Sequence, residues 1–97
     1  MPHDRDCGPA ALAVVERAVA AGAPVVHVRA KDCTDRVLFD FARAVVEICA
    51  GTGTACLVND RVDVALAVGA DGTHLGADDL PVEAARRVAG PGHLIGG

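Results

Sequence analysis

The chain has 97 residues, is 52% hydrophobic and carries a formal net charge of -4, which bounds it to one domain spanning 1–97 and argues against nucleic acid or an anionic membrane surface as partner. Its most apolar early stretch, Ala10 to Val28, is broken by Glu16, Arg17, Gly22 and Pro24, which excludes a bilayer span there; Met1-Pro2-His3-Asp4-Arg5-Asp6 lacks the basic start and apolar run of a signal peptide, so none is expected. Cys7, Cys33, Cys49 and Cys56 form no C-x-x-C pair, so reduced thiols and a cytoplasmic location are expected.

Pro9 to Ala21 carries Leu12, Val15 and Val19 on a helical period behind a Pro suited to a first turn, and Gly22 closes it. Val25-Val26-His27-Val28 reads as a short strand with Arg29-Ala30-Lys31-Asp32 at its exit. Thr34 or Asp35 can cap a helix through about Ala50 that aligns Leu38, Phe41, Ala42, Val45 and Ile48. Ala55 to Val58 is the next strand, and Arg61 to Val68 a short helix stopped by Gly69. Gly72 to Leu75 is a third strand, Pro81 to Ala89 a fourth helix with Glu83 near its start, and Leu94-Ile95-Gly96 opens another strand. Such alternation predicts an α/β fold of about four parallel strands alternating with helices.

Asn59-Asp60 and Asp78-Asp79 then fall just beyond the carboxyl ends of two successive strands, the edge where parallel α/β sheets and barrels place their active sites. Asp60 and Asp79 are hard oxygen donors, and magnesium typically takes one or two carboxylates together with substrate phosphate oxygens. Both also suit helix capping, of the helices opening at Arg61 and Pro81 respectively, and spacing does not separate Asp78 from Asp79. His27, Arg29 and Lys31 alternate, so a continuing strand points all three one way; two cations at a strand exit form an anion clamp or a solvated end. Asp63 and Asp71 read as solvent-facing, and His74 as a packing residue of its strand. His3 and His93 have no partners at ligand spacing, and the cysteines read as small buried groups, Cys33 in its loop excepted. Gly51-Thr52-Gly53 follows a helix and precedes a strand, the reverse of a dinucleotide fingerprint.

Three segments, His27-Val28-Arg29-Ala30-Lys31, Asn59-Asp60-Arg61-Val62-Asp63-Val64-Ala65-Leu66 and Ala70-Asp71-Gly72-Thr73-His74-Leu75-Gly76-Ala77-Asp78-Asp79-Leu80-Pro81, resemble in order the motifs of the thiamine phosphate synthase family. The resemblance runs from about Pro9 to Gly97. It implies a (βα)8 TIM barrel that joins hydroxymethylpyrimidine diphosphate to thiazole phosphate and releases diphosphate, by a dissociative path through a pyrimidine carbocation. It also implies that His27, Arg29, Lys31 and Asn59 bind the pyrimidine diphosphate, and that Asp60 and Asp79 hold Mg2+. Two departures stand out: His27 replaces a Gln of the first motif, and Ala77 a Gln of the third. A complete barrel needs roughly 200 residues, so the chain is expected to be a partial barrel, lacking the first strand and the carboxyl-terminal half with its phosphate-binding loops.

Three readings therefore stand together at this level. One is a synthase whose short chain binds weakly or needs a complementing half-barrel chain. Another is a non-catalytic phosphate-binding module that self-assembles as a homo-oligomer through its sheet edges. The last is a thiazole tautomerase-like relative sharing the barrel; retention of Arg29, Lys31, Asp60 and Asp79 favours the synthase.

Overall fold

Thr34 settles where the longest helix begins: its Oγ1 accepts from the Val37 N–H at 3.2 Å, the N-cap geometry. A computed structural model describes residues 8–29, 33–76 and 79–96. Through them run α1 (Pro9–Ala20), β1 (Val25–Val28), α2 (Asp35–Cys49), β2 (Ala55–Asn59), α3 (Val62–Val68), β3 (Gly72–His74), α4 (Val82–Ala89) and β4 (Leu94–Gly96). Every expected element is present. The expected ends move by a residue or so: β2 extends to Asn59, and Pro81 is the N-cap of α4 rather than part of it.

The strands form one parallel sheet in the order β1-β2-β3-β4. Sequential order with right-handed crossovers places the intervening helices on one side of the sheet. Accordingly α1 packs on α2, α2 on α3 and α3 on α4. This is the α/β arrangement of consecutive units of a (βα)8 barrel.

Alternation along the strands decides which residues meet the helices. Val28, Cys56 and Val58 are buried and join Leu38, Phe41, Ala42, Val45 and Cys49 of α2 with Val64 and Ala65 of α3 in the main core. Ile48, expected on that face, is only half-buried, and Cys49 takes its place. Leu12, Val15 and Val19 of α1 pack from the rim, as their spacing predicts. Each fully buried Val contributes roughly 1.5–3 kcal/mol, so a core of small side chains suffices when many are enclosed. A second cluster of Val62, Leu75 and Ala85 fastens α4.

Two glycines shape the turn into β3 and its pairing. Gly69 ends α3 in the left-handed conformation at φ 74°, which costs glycine little and other residues more. Gly72 faces Leu94 so closely that a Cβ there would overlap the Leu94 carbonyl oxygen. Between the two glycines, Asp71 is exposed yet not idle: its Oδ2 accepts from the Cys56 N–H at 2.7 Å and ties the α3–β3 turn to β2. Asp71 is thus exposed, as expected, but engaged.

Candidate active site at the carboxyl ends of the strands

Val28, Val58 and Thr73 share one register across the sheet and turn toward the helices. Their neighbours His27, Asn59 and His74 therefore lie on the opposite face. There His27 Nδ1 stands 3.3 Å from Asn59 Oδ1, and the His27 and His74 rings meet edge to face with centroids 5.4 Å apart. His74, read from sequence as a packing residue, does pack, but against His27 on the open face. Arg29 directly follows β1 and is exposed at the same end of the sheet. Lys31 and Asp78 lie outside the described residues.

Asp60 follows β2 and is the one described non-glycine residue with positive φ, at 68°. Asp is among the few residues that enter this region readily, at a cost on the order of 1 kcal/mol. The surroundings dictate it: the Asp60 N–H donates to the His74 carbonyl (2.8 Å), its own carbonyl accepts from Val62 N–H (3.0 Å), and Arg61 N–H donates to the Asn59 carbonyl (2.7 Å). The backbone thereby turns sharply and the Asp60 carboxyl comes within hydrogen-bonding reach of the Asp79 carboxyl. Although Asp60 as a residue is exposed, partial desolvation of its carboxyl and the adjoining Asp79 carboxyl push it above the ordinary carboxylate value.

Asp79 is placed by a turn of its own. Its Oδ2 accepts from the Gly76 N–H at 2.6 Å, and its N–H donates to the Gly76 carbonyl at 3.2 Å. The capping alternatives fail for both acids. The N-cap of α3 is Arg61 and that of α4 is Pro81, and neither helix start has a side-chain capping hydrogen bond. Two carboxyls turned toward each other need a shared proton or a cation between them. As a pair of hard oxygen donors they fit a divalent ion such as magnesium, which completes its shell with water and phosphate oxygens. No group of three or more His, Cys, Asp or Glu suited to a metal forms among the described residues.

Sequence spacing missed the network around Arg61. Its Nε and Nη2 donate to the two carboxylate oxygens of Asp63 (3.0 and 2.8 Å), while Nη1 donates to Asp35 at 2.8 Å. Its guanidinium holds the Asp63 carboxyl below the usual carboxylate range. Helical periodicity gives no signal for this, because Arg61 precedes α3 and Asp35 lies 26 residues away. Asp63 is exposed, as expected, but engaged.

The opposite, amino-terminal end of the strands carries an open cleft of about 730 Å³ lined in part by Cys49, Thr52, Thr54, Cys56 and Asp71. Its hydroxyls serve the fold: Thr52 Oγ1 donates to the Cys49 carbonyl and Thr54 Oγ1 to the Ala23 carbonyl, each at 2.6 Å. Burial pushes the Cys56 thiol up to about 12, an inert apolar group as the sequence suggests. Nearby His93 has a partner that spacing did not reveal, the Thr73 hydroxyl at 2.7 Å in the protein interior. In barrels this end of the sheet serves stability rather than chemistry.

No helix among the described residues is long and apolar enough to cross a membrane. Residues 2–97 match the thiamine monophosphate synthase family. The chain is 58% identical over 88 residues to the thiamine-phosphate synthase of Salinispora arenicola, covering 88% of this chain and 42% of that protein. It is 46% identical over 93 residues to the thiamine-phosphate synthase of Chlorobium luteolum, covering 96% of this chain and 43% of that protein. The solved thiamine phosphate pyrophosphorylase from Pyrococcus furiosus superimposes with a TM-score of 0.84 at 35% identity, over 95% of this chain and 45% of its own. The chain thus spans less than half the length of these relatives. By its sequence and its fold, it belongs to the thiamine monophosphate synthase family.

Proposed function

We propose that this chain contributes the pyrimidine-diphosphate and magnesium side of a thiamine phosphate synthase site. The observation that carries the reading is the convergence of the Asp60 and Asp79 carboxyls at the carboxyl ends of β2 and β3, beside the His27–Asn59 pair. The reaction joins hydroxymethylpyrimidine diphosphate to thiazole phosphate: a carbon–oxygen bond to diphosphate breaks and a bond to the thiazole nitrogen forms. In this reading Asp60 and Asp79 hold Mg2+, which when bound neutralises charge on the departing diphosphate. Arg29, with Lys31, pairs with the phosphate oxygens, a guanidinium offering two parallel hydrogen bonds and an ammonium a point charge. Asn59 and His27 fix the pyrimidine end through the donors and acceptors they turn to the open face.

Isothermal titration of the folded chain with hydroxymethylpyrimidine diphosphate, with and without Mg2+, tests this. Weak binding that requires Mg2+ is the expected result. Binding indifferent to Mg2+, or none, would sink the reading. Assay of thiazole tautomerisation beside synthase activity separates the two branches of the family, and retention of Asp60 and Asp79 supports the synthase.

A second reading concerns partners. Among the described residues β1 and β4 each pair on one side only, and their Val25 and Leu94 are exposed. Open strand edges with apolar side chains favour cover by further strands. A homo-oligomer or a complementing half-barrel chain would supply them. A strictly monomeric mass in light scattering at high concentration would rule out the homo-oligomer.

A further inference from the structure

The Asp35–Arg61 contact joins the start of α2 to the turn after β2, beside the proposed site. Asp35 is the first residue of α2, just after the loop that leaves β1 past Arg29. Arg61 belongs to the turn that leaves β2 and immediately follows Asp60. The guanidinium spends Nε and Nη2 on Asp63 and Nη1 on Asp35. Two carboxylates therefore neutralise it, and it is poorly suited to bind a substrate anion. Its fixed fork geometry does something else: it pins the residue that bears it.

What it pins is the left-handed turn. Residues 59–62 make two successive tight hydrogen bonds, Arg61 N–H to the Asn59 carbonyl and Val62 N–H to the Asp60 carbonyl. Rotation about the Asp60 N–Cα bond back to ordinary φ would swing its carboxyl away from Asp79 and carry Arg61 with it. Asp63 lies two residues along the same segment and can follow such a movement. Asp35 cannot, because it is anchored on a 15-residue helix capped by Thr34. The long-range arm of the clamp is thus the one that resists this rotation.

We infer that Asp35 is a positioning residue for the Asp60 carboxylate, acting through Arg61. Its consequence for metal binding rests on the reading of Asp60 as a magnesium ligand, whereas its effect on the Asp60 backbone does not. Four proteins decide it: the chain as it stands, Asp35→Asn, Asp35→Glu and Asp40→Asn. The last removes the same charge from the same helix by breaking the exposed Arg36–Asp40 pair at 3.1 Å, which leads nowhere near Asp60.

Backbone NMR of the metal-free proteins reads the Asp60 conformation, and Mn2+ titration followed by electron paramagnetic resonance reads the site. Asp35→Asn is expected to move the Asp60 backbone signals out of their left-handed signature and to weaken Mn2+ about tenfold, the lower end of what outer partners of metal ligands contribute. Asp35→Glu is expected to restore both in large part, and Asp40→Asn to change neither. Unmoved Asp60 signals in Asp35→Asn, in a protein whose other amides remain dispersed, overturn the inference. If the unaltered chain takes up no Mn2+, the magnesium reading fails, and the Asp60 signals alone then support or overturn the clamp.

Discussion

His27 on β1 and Asn59 on β2 meet across the open face of the sheet, Nδ1 to Oδ1 at 3.3 Å. With Asn59 Oδ1 as acceptor, His27 Nδ1 is the donor of the pair. The pair links two residues that the family resemblance assigns to one substrate. A histidine suits the position where the family resemblance implies glutamine, since either side chain offers a hydrogen-bonding nitrogen.

His27→Gln is therefore expected to keep the affinity for hydroxymethylpyrimidine diphosphate within about threefold, whereas His27→Ala should weaken it about tenfold. A hydrogen bond contributes roughly 0.5–1.5 kcal/mol, and 1.4 kcal/mol is about a factor of ten. Isothermal titration in the presence of Mg2+ measures both, and equal losses in the two variants would contradict this account.

Asp60→Asn separates stability from metal binding. Asn enters the left-handed region as readily as Asp, so the turn should survive while the unfavourable contact with Asp79 is relieved. The Asp60 carboxyl is held above its unfolded value, so its ionised form is destabilising: its contribution is most favourable at low pH and is lost as pH rises through the folded-state value. At pH 7 without metal, the variant should unfold at a slightly higher temperature than the unaltered chain, the gain kept small by solvent screening at this exposed residue. It should also lose the stabilisation that added Mg2+ gives the unaltered chain. Thermal unfolding with and without Mg2+ shows both effects.

Asp71→Ala should destabilise the fold by about 1.5–3 kcal/mol, the range for a hydrogen bond to a charged group. The loss leaves the Cys56 N–H unpaired next to the core. Asp71→Asn retains an acceptor and should lose less. Urea unfolding midpoints rank the three proteins, and an Asp71→Ala midpoint equal to that of the unaltered chain would refute the role.

Gly72→Ala should cost about 1–3 kcal/mol or loosen β4, because the added methyl collides with Leu94 main chain that cannot rotate away. Gly69→Ala meets nothing within 4 Å, so only its left-handed φ matters, at about 1 kcal/mol. Hydrogen exchange of the β4 amides distinguishes them: Gly72→Ala should deprotect that strand, and Gly69→Ala should not.

His93 gives the fold a defined acid sensitivity. Burial and, secondarily, Arg86 hold its imidazole below the ordinary histidine value, and the neutral ring pairs with Thr73. Since the folded-state value is the depressed one, the unfolded chain binds the proton first. The His93 contribution is therefore complete above about pH 6.5 and is lost as pH falls through and below that value. Denaturation between pH 8 and 5 should show the decline, and His93→Gln should flatten that part of it.

The order and kind of the elements were legible in the residues alone, because their causes are local. Leu38, Phe41, Ala42 and Val45 mark a helix by spacing, Thr34 caps it by its own hydroxyl, and Gly69 stops the next helix by backbone freedom. The segments around Asn59-Asp60 and Asp79 likewise carried the family and the candidate ligands. Tertiary structure decided the rest. That Asp60 turns left-handed toward Asp79 instead of capping α3 depends on a hydrogen bond to His74 on the neighbouring strand. That Asp71 holds Cys56 and that His27 touches both Asn59 and His74 follow from parallel strand register, and that Arg61 grips Asp35 follows from the packing of α2 on α3. Local propensity specifies what each segment becomes. Which side chains meet at the ends of the strands is settled only when the sheet brings distant segments side by side.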